Sequence, residues 1–260
     1  MSTHDLVVLA LVLGAGAFVE AVAGFGGTVL ALSLGARWFG IEALLAWFLP
    51  LNLGLSLALA TRGRHAIAWR ALGTAILPMM LVGLAAGTAL TWIIDADRAR
   101  ALFAGLVIVV AVVEIAAQVR ARGLAGAGDG SAMEPAAGLP PLAQRGLLLG
   151  AGVVHGLFAT GGPLAVAVIA RNLTSKTALR STLAVMWFVL NVIVLTRLTV
   201  RGHVDGISLG GSLRLVPAML AGMVLGELVH ARVSERSFRG AVAGLLLVTG
   251  ALLLHASLAR

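Results

Sequence analysis

Ala15-Gly16-Ala17-Phe18-Val19-Glu20-Ala21-Val22-Ala23-Gly24-Phe25-Gly26-Gly27-Thr28, AGAFVEAVAGFGGT, sets one carboxylate and a Gly-Phe-Gly-Gly break inside an apolar run. As a single straight helix the run 5–36 would be about 48 Å long, against about 30 Å for the hydrocarbon core of a bilayer. It is nevertheless short for two full crossings. A broken hairpin satisfies both limits: a helix to about Ala23, a turn through Gly24, Phe25, Gly26 and Gly27, and a second, shorter helix from Thr28. The run 145–170 has the same interruption, with a break at Ala159-Thr160-Gly161-Gly162 and a restart at Pro163, a residue suited to the first turn of a helix.

Composition supplies the solvent for this hairpin. Of the 260 residues, 60% are hydrophobic and 12% charged, and the mean hydropathy is +1.02, far above what a water-soluble domain needs to fill its core. The fold class expected is an all-α polytopic membrane protein. There is no cysteine, and no His spacing resembles a zinc or iron–sulfur site, so no metal and no cofactor is expected. A net charge of +8 could suggest nucleic acid, but Lys and Arg are dispersed among short connections, which fits loops touching anionic lipid. The start MSTHD lacks the basic flank of a signal peptide, so the first segment is expected to stay in the protein.

Spanning-length apolar stretches lie near 41–60, 71–92, 101–118, 178–196, 213–230 and 239–257. Between the third and the second interrupted run, 119–144 is rich in Gly, Ala and Pro and reads as a flexible linker. The expected organisation is therefore a first transmembrane repeat at 1–118, the linker at 119–144, and a second repeat at 145–260.

The word repeat rests on matched residues. LPMMLVGLAAG at 77–87 and VPAMLAGMVLG at 216–226 share Pro, Met, Leu, Gly and Gly at one offset, which also pairs Leu51-Asn52 with Leu190-Asn191 and Arg100 with Arg239. A slightly smaller offset pairs Gly26-Gly27 with Gly161-Gly162 and sets Glu20 opposite His155. Gly83, Gly87, Gly222 and Gly226 read as helix-packing positions. The Gly-Gly breaks read differently, because discontinuous segments at matching places in two halves mark a transporter's binding site.

Each break frees backbone N–H groups that hydrocarbon cannot satisfy, so the two breaks are expected to face one wet cavity. A helix start carries partial positive charge, and N–H groups around Thr28 and Leu164, with the Thr28 and Thr160 hydroxyls, could seat a small anion. Gly24, Gly26, Gly27, Thr28, Gly161, Gly162, Pro163 and Thr160 are the expected seat. Asn52 and Asn191 are either interhelical links or cavity lining. Glu20 is costly in a deep helix and, beside a titratable His155, forms a candidate proton-coupling pair. Glu114, Glu227, His230 and Arg197 lie nearer segment ends, where snorkelling is cheap. Lys176 and Arg180 read as loop charges.

Loops 61–70, 119–145, 171–180 and 231–239 hold 12 of the 19 Lys and Arg residues. They share one side if segments one and five are re-entrant, which would also make the two repeats inverted. On GAGAFVEAVAGFGGTVLALSLGA and GAGVVHGLFATGGPLAVAVIARN, opening the two halves, the chain resembles the TauE/SafE sulfite exporter family, from about residue 5 to 258. The resemblance implies a small carrier of the bacterial inner membrane, with sulfite, sulfoacetate or another small oxoanion as cargo. At matching positions it implicates Gly24, Gly26, Gly27, Thr28, Gly161, Gly162 and Pro163.

The reading is a secondary exporter of a small sulfur-containing or organic oxoanion, coupled to a proton or ion gradient by alternating access. The alternative is a passive anion channel. Without a GxxxxGK[ST] loop there is no nucleotide engine in the sequence, and no nucleophile with a base or HExxH pair suggests an enzyme. The partners expected are the anion, the bilayer and, compatibly, further copies of the chain.

Overall fold

The computed structural model describes residues 3–23, 25–36, 38–95, 97–99, 101–109, 112, 115–116, 140–173 and 175–230. Gly24, Glu114, nearly all of the linker and the stretch 239–257 lie outside the described residues. Every regular element among the described residues is helical. In chain order the longer ones are α1 (Thr3–Ala23), α2 (Gly27–Gly35), α3 (Ile41–Arg62), α4 (Trp69–Leu90), α5 (101–109), α6 (Pro141–Phe158), α7 (Gly162–Asn172), α8 (Lys176–Val200) and α9 (Gly206–His230), with a 3-10 turn at Arg64–Ala66 between α3 and α4. Five of them carry stretches long and apolar enough to cross a membrane: Thr3–Val22, Ile41–Arg62, Trp69–Leu90, Thr177–Val200 and Ser208–Val229. Leu213, Leu220, Val224, Leu225 and Leu228 point outward from α9, as side chains solvated by lipid do.

Local chemistry accounts for the helix limits. Pro140 and Pro141 open α6, so the last residues of the 119–144 range belong to a helix. Ser175 caps α8 by accepting from the Ala178 amide at 3.4 Å. Asp205 and Ser208 form a reciprocal cap at the start of α9, with Ser208 N–H donating to Asp205 Oδ1 at 2.7 Å and Asp205 N–H to Ser208 Oγ at 2.8 Å. In α4 the turn Leu72–Ile76 widens to a π-helix just ahead of Pro78, which has no N–H to continue the regular ladder.

The first half does not pack as a separate body. α1 lies along α9, and α4 lies along α6, so each pair joins one helix from each half. Both pairs touch at glycine. A Cβ on Gly83 or Gly87 would run into the backbone of α6 at Leu149, Gly152 and Val153. A Cβ on Gly222 or Gly226 would run into Gly14 and Phe18 of α1. α3 and α8 form the third joint between halves, and α9 also packs on α3. The core is continuous across all of them, from Leu13 and Phe48 to Phe103, Leu183 and Leu190.

Two charges differ from their expected places. α8 begins at Lys176, so Arg180 is a helical residue and not a loop charge, and its guanidinium pairs with Glu227 of α9. The cap at Ser175 draws these cations into the first turns, where the helix dipole disfavours them unless an acid compensates. Arg197 does not snorkel. α8 continues to Val200, and the Arg197 guanidinium turns inward, donating from Nη1 to Gly156 O at 2.7 Å. That carbonyl is among the last four of α6, which have no intrahelical partner.

Candidate functional site

The two breaks meet. α1 ends at Ala23, and α2 begins at Gly27 behind Gly26, whose φ of 88° is a left-handed conformation that glycine adopts without strain. α6 ends at Phe158 and is closed by Ala159, also left-handed at φ 53°, whose N–H reaches His155 O at 2.7 Å. α7 restarts at Gly162 with Pro163 in its first turn. A Cβ added to Gly162 would lie 3.5 Å from Phe25 Cβ and 3.8 Å from Gly26 N. The two breaks thus face each other across a gap that one added methyl group would fill.

Between them is a cavity of about 20 Å³, on the scale of one water molecule. From the first half it is lined by Glu20, Phe25, Gly26, Thr28 and Asn52, and from the second by His155, Thr160, Gly162, Trp187 and Asn191, with Val29 and Ala159 completing the wall. Of the residues singled out from sequence, Gly27 stands behind the wall, where a Cβ would lie 2.6 Å from Glu20 Oε2. Gly161 faces the backbone of Ala151 and is not part of the lining. Only the backbone of Pro163 is described.

Four buried polar side chains cross this cavity as one chain of hydrogen bonds. His155 Nε2 lies 3.0 Å from Asn191 Oδ1, Asn191 Nδ2 donates to Asn52 Oδ1 at 2.8 Å, and Asn52 Nδ2 donates to Glu20 Oε1 and Oε2 at 3.0 and 2.9 Å. Asn191 uses its amide N–H toward Asn52, so its oxygen must accept, and His155 must carry a proton on Nε2. Every bond in the chain therefore points toward the Glu20 carboxylate. The Asn pair is at once an interhelical link and cavity lining, which resolves the two readings left open by sequence.

Two polar atoms here have no partner among the described residues: His155 Nδ1 and Thr160 Oγ1. Both residues are buried, at 1% and 4% exposure, where an unmet polar group is expensive. The His155 ring stacks on Trp187, with centroids 5.5 Å apart and planes 16° from parallel. Sequence reasoning passed over Trp187, yet it stands one turn before Asn191 on α8, and four-residue spacing from a deep Asn was the signal that could have found it. Phe25, placed in the turn by the sequence, also lines the cavity.

A membrane bundle whose two broken segments close around one polar cavity is the setting in which comparison with known proteins becomes informative. The sequence matches the family described as Sulfite exporter TauE/SafE over residues 8–253. The chain belongs to the TauE/SafE sulfite exporter family. It is thus a membrane transport protein and not an enzyme. No curated protein and no solved structure matches the chain.

Proposed function

We propose that this TauE/SafE member is a secondary carrier of a small sulfur-containing or organic oxoanion, and that the cavity between the two breaks is its central binding site. The observation that carries this reading is the convergence of Thr28, Thr160, Gly26 and Gly162 on one cavity with the Glu20–Asn52–Asn191–His155 chain. The starts of α2 and α7 supply N–H groups and positive dipole ends. The unpartnered Thr160 hydroxyl is a further donor.

The cavity is too tight for a four-atom oxoanion beside its partners, so loading requires the breaks to part. The exchanged packing supports a concrete way to do this. Equivalent helices of a duplicated, inverted unit would make the joints α1–α9 and α4–α6 counterparts of each other, with α3–α8 on the axis between them. Re-entrant α1–α2 and α6–α7 hairpins would then move with their partners and open the cavity to one side at a time.

Coupling to protons follows from the two ends of the hydrogen-bond chain. An ionised Glu20 opposes an incoming anion, and a protonated one does not. Protonation turns one Glu20 oxygen from an acceptor of the Asn52 N–H into an O–H donor and leaves the other to accept, so the Asn52 contact rearranges and the change is passed through Asn191 toward His155. The substrate, the direction and the bacterial inner membrane are part of this proposal.

The test is flux in proteoliposomes. Sulfite or sulfoacetate movement should saturate and should be accelerated by the same anion on the far side. Gly162→Ala, whose new methyl fits at ordinary contact distance from Phe25 and Trp187 but occupies the cavity, should raise the half-saturating concentration several-fold. Flux that stays linear in concentration and indifferent to the far side would favour the channel.

A further inference from the structure

A second cavity, of about 510 Å³, lies where α3 begins and α8 ends. Its wall contains Glu42, Trp92, Leu157, Phe158, Arg201 and His203. Arg201 is its centre. The guanidinium lies over the Trp92 ring, 4.1 Å from the centroid, and its Nη1 faces Glu42 Oε1 at 3.7 Å. The other Glu42 oxygen is taken by His203 Nε2 at 2.9 Å. Arg201 Nε and Nη2 are both buried without a partner among the described residues.

Those two atoms form one edge of the guanidinium, the fork that meets two oxygens of a carboxylate, sulfonate or phosphate side by side. Glu42 and Trp92 occupy the third nitrogen and the face; the fork is unpartnered among the described residues but covered, so an anion in the cavity meets it once the side chains over it part. A buried cation with two unmet donors is costly unless something fills them. Around the fork the wall turns apolar, with Ile41, Ile94 and Leu157, which suits a guest with a carbon body.

The cavity also leads somewhere. One turn back on α8, Arg197 holds the Gly156 carbonyl and keeps a buried Nε without a partner. Gly156 follows His155 of the central cavity. Phe158, packed on Phe103 with ring centroids 5.2 Å apart, lines the outer cavity, while Ala159 and Thr160 line the central one. Along α3, the ten residues from Glu42 to Asn52 span about 15 Å.

We infer that the cavity around Arg201 is an outer binding site for a small organic oxoanion, a sulfonate or carboxylate, separated from the central cavity by Phe158. The anion contact stands on the Arg201 fork alone, whereas its place on a transport path rests on the carrier reading above. Arg197 offers the next cationic step between the two cavities.

Each cavity has its own tryptophan, so one titration separates them. Full-length protein in detergent is titrated with sulfoacetate, and fluorescence is followed in the wild type, Trp92→Phe and Trp187→Phe. The expected result is a saturable change with one component that disappears in Trp92→Phe and survives in Trp187→Phe, beside a second with the opposite behaviour. The midpoint of the first should move at least about tenfold higher in Arg201→Gln, the scale of losing charge-assisted hydrogen bonds. No Trp92-dependent change, or one indifferent to Arg201→Gln, overturns the outer site.

If Arg201→Gln does not fold, Glu42→Gln serves instead: removing the competing carboxylate should lower the midpoint, and an unchanged midpoint counts against the site. A Trp92 response without any Trp187 response would keep the outer site and remove the central one. The converse would remove the outer site and leave the central reading intact.

Discussion

Among the described residues Glu20 has a single kind of partner, the Asn52 amide, and that amide is itself held by Asn191. The carboxylate is thus neither exposed nor paired with a cation among the described residues, an arrangement that suits a group whose charge must change during a cycle. Glu20→Gln keeps the shape and an oxygen to accept from Asn52, but cannot take or lose a proton. In this variant anion-induced stabilisation in a thermal melt should persist, while flux should lose its dependence on an imposed pH gradient. Flux that still follows the gradient would take Glu20 out of the coupling. Gly161 is a poorer place to test the site than sequence suggests. A side chain there would meet Ala151 O and His155 Cβ, so a bulky residue would strain the α6–α7 turn before it touched a ligand.

Helix contacts explain what was readable in the sequence and what was not. Gly222 illustrates the readable part, since a small residue repeated four positions later marks a close helix pair, and both Gly222 and Gly226 meet α1 backbone. Gly222→Val should destabilise the protein by at least about 2 kcal/mol through overpacking at Gly14, seen as a lower melting temperature. Gly210, with open space around its Cβ direction, should tolerate the same change, and equal losses at both positions would contradict this account of the joint. The break positions, the deep Glu and the Asn pair were legible for a related reason: each violates the apolar rule of its surroundings. What was not legible was direction. Sequence offers no way to see that Arg197 turns inward to cap α6, because its position near a segment end is equally compatible with lipid. Nor does a loop motif announce that Ser175 draws Arg180 into a helix beside Glu227.

At the scale of the whole molecule, the segments before and after the linker are joined by the α1–α9 and α4–α6 contacts and by the central α3–α8 pair. Asn52 and Asn191 meet within that pair, Glu42 and Arg201 lie at one end, and Gly63 and Ser181 at the other. If the halves rock about this pair, a bond across its Gly63 end must arrest transport without emptying the site. The absence of cysteine from the sequence makes that bond simple to introduce. Ala68 N–H donates to Thr182 Oγ1 at 3.0 Å, joining the residue before α4 to α8, and this direct contact selects the pair for the bridge. Ala68→Cys with Thr182→Cys should transport when reduced and stop when oxidised, with anion binding retained in both forms. Recovery on adding reductant would tie the arrest to the bridge and not to damage. A rigid pore would conduct equally in both states, so undiminished flux through the fully oxidised protein would replace alternating access with a fixed channel between the two breaks.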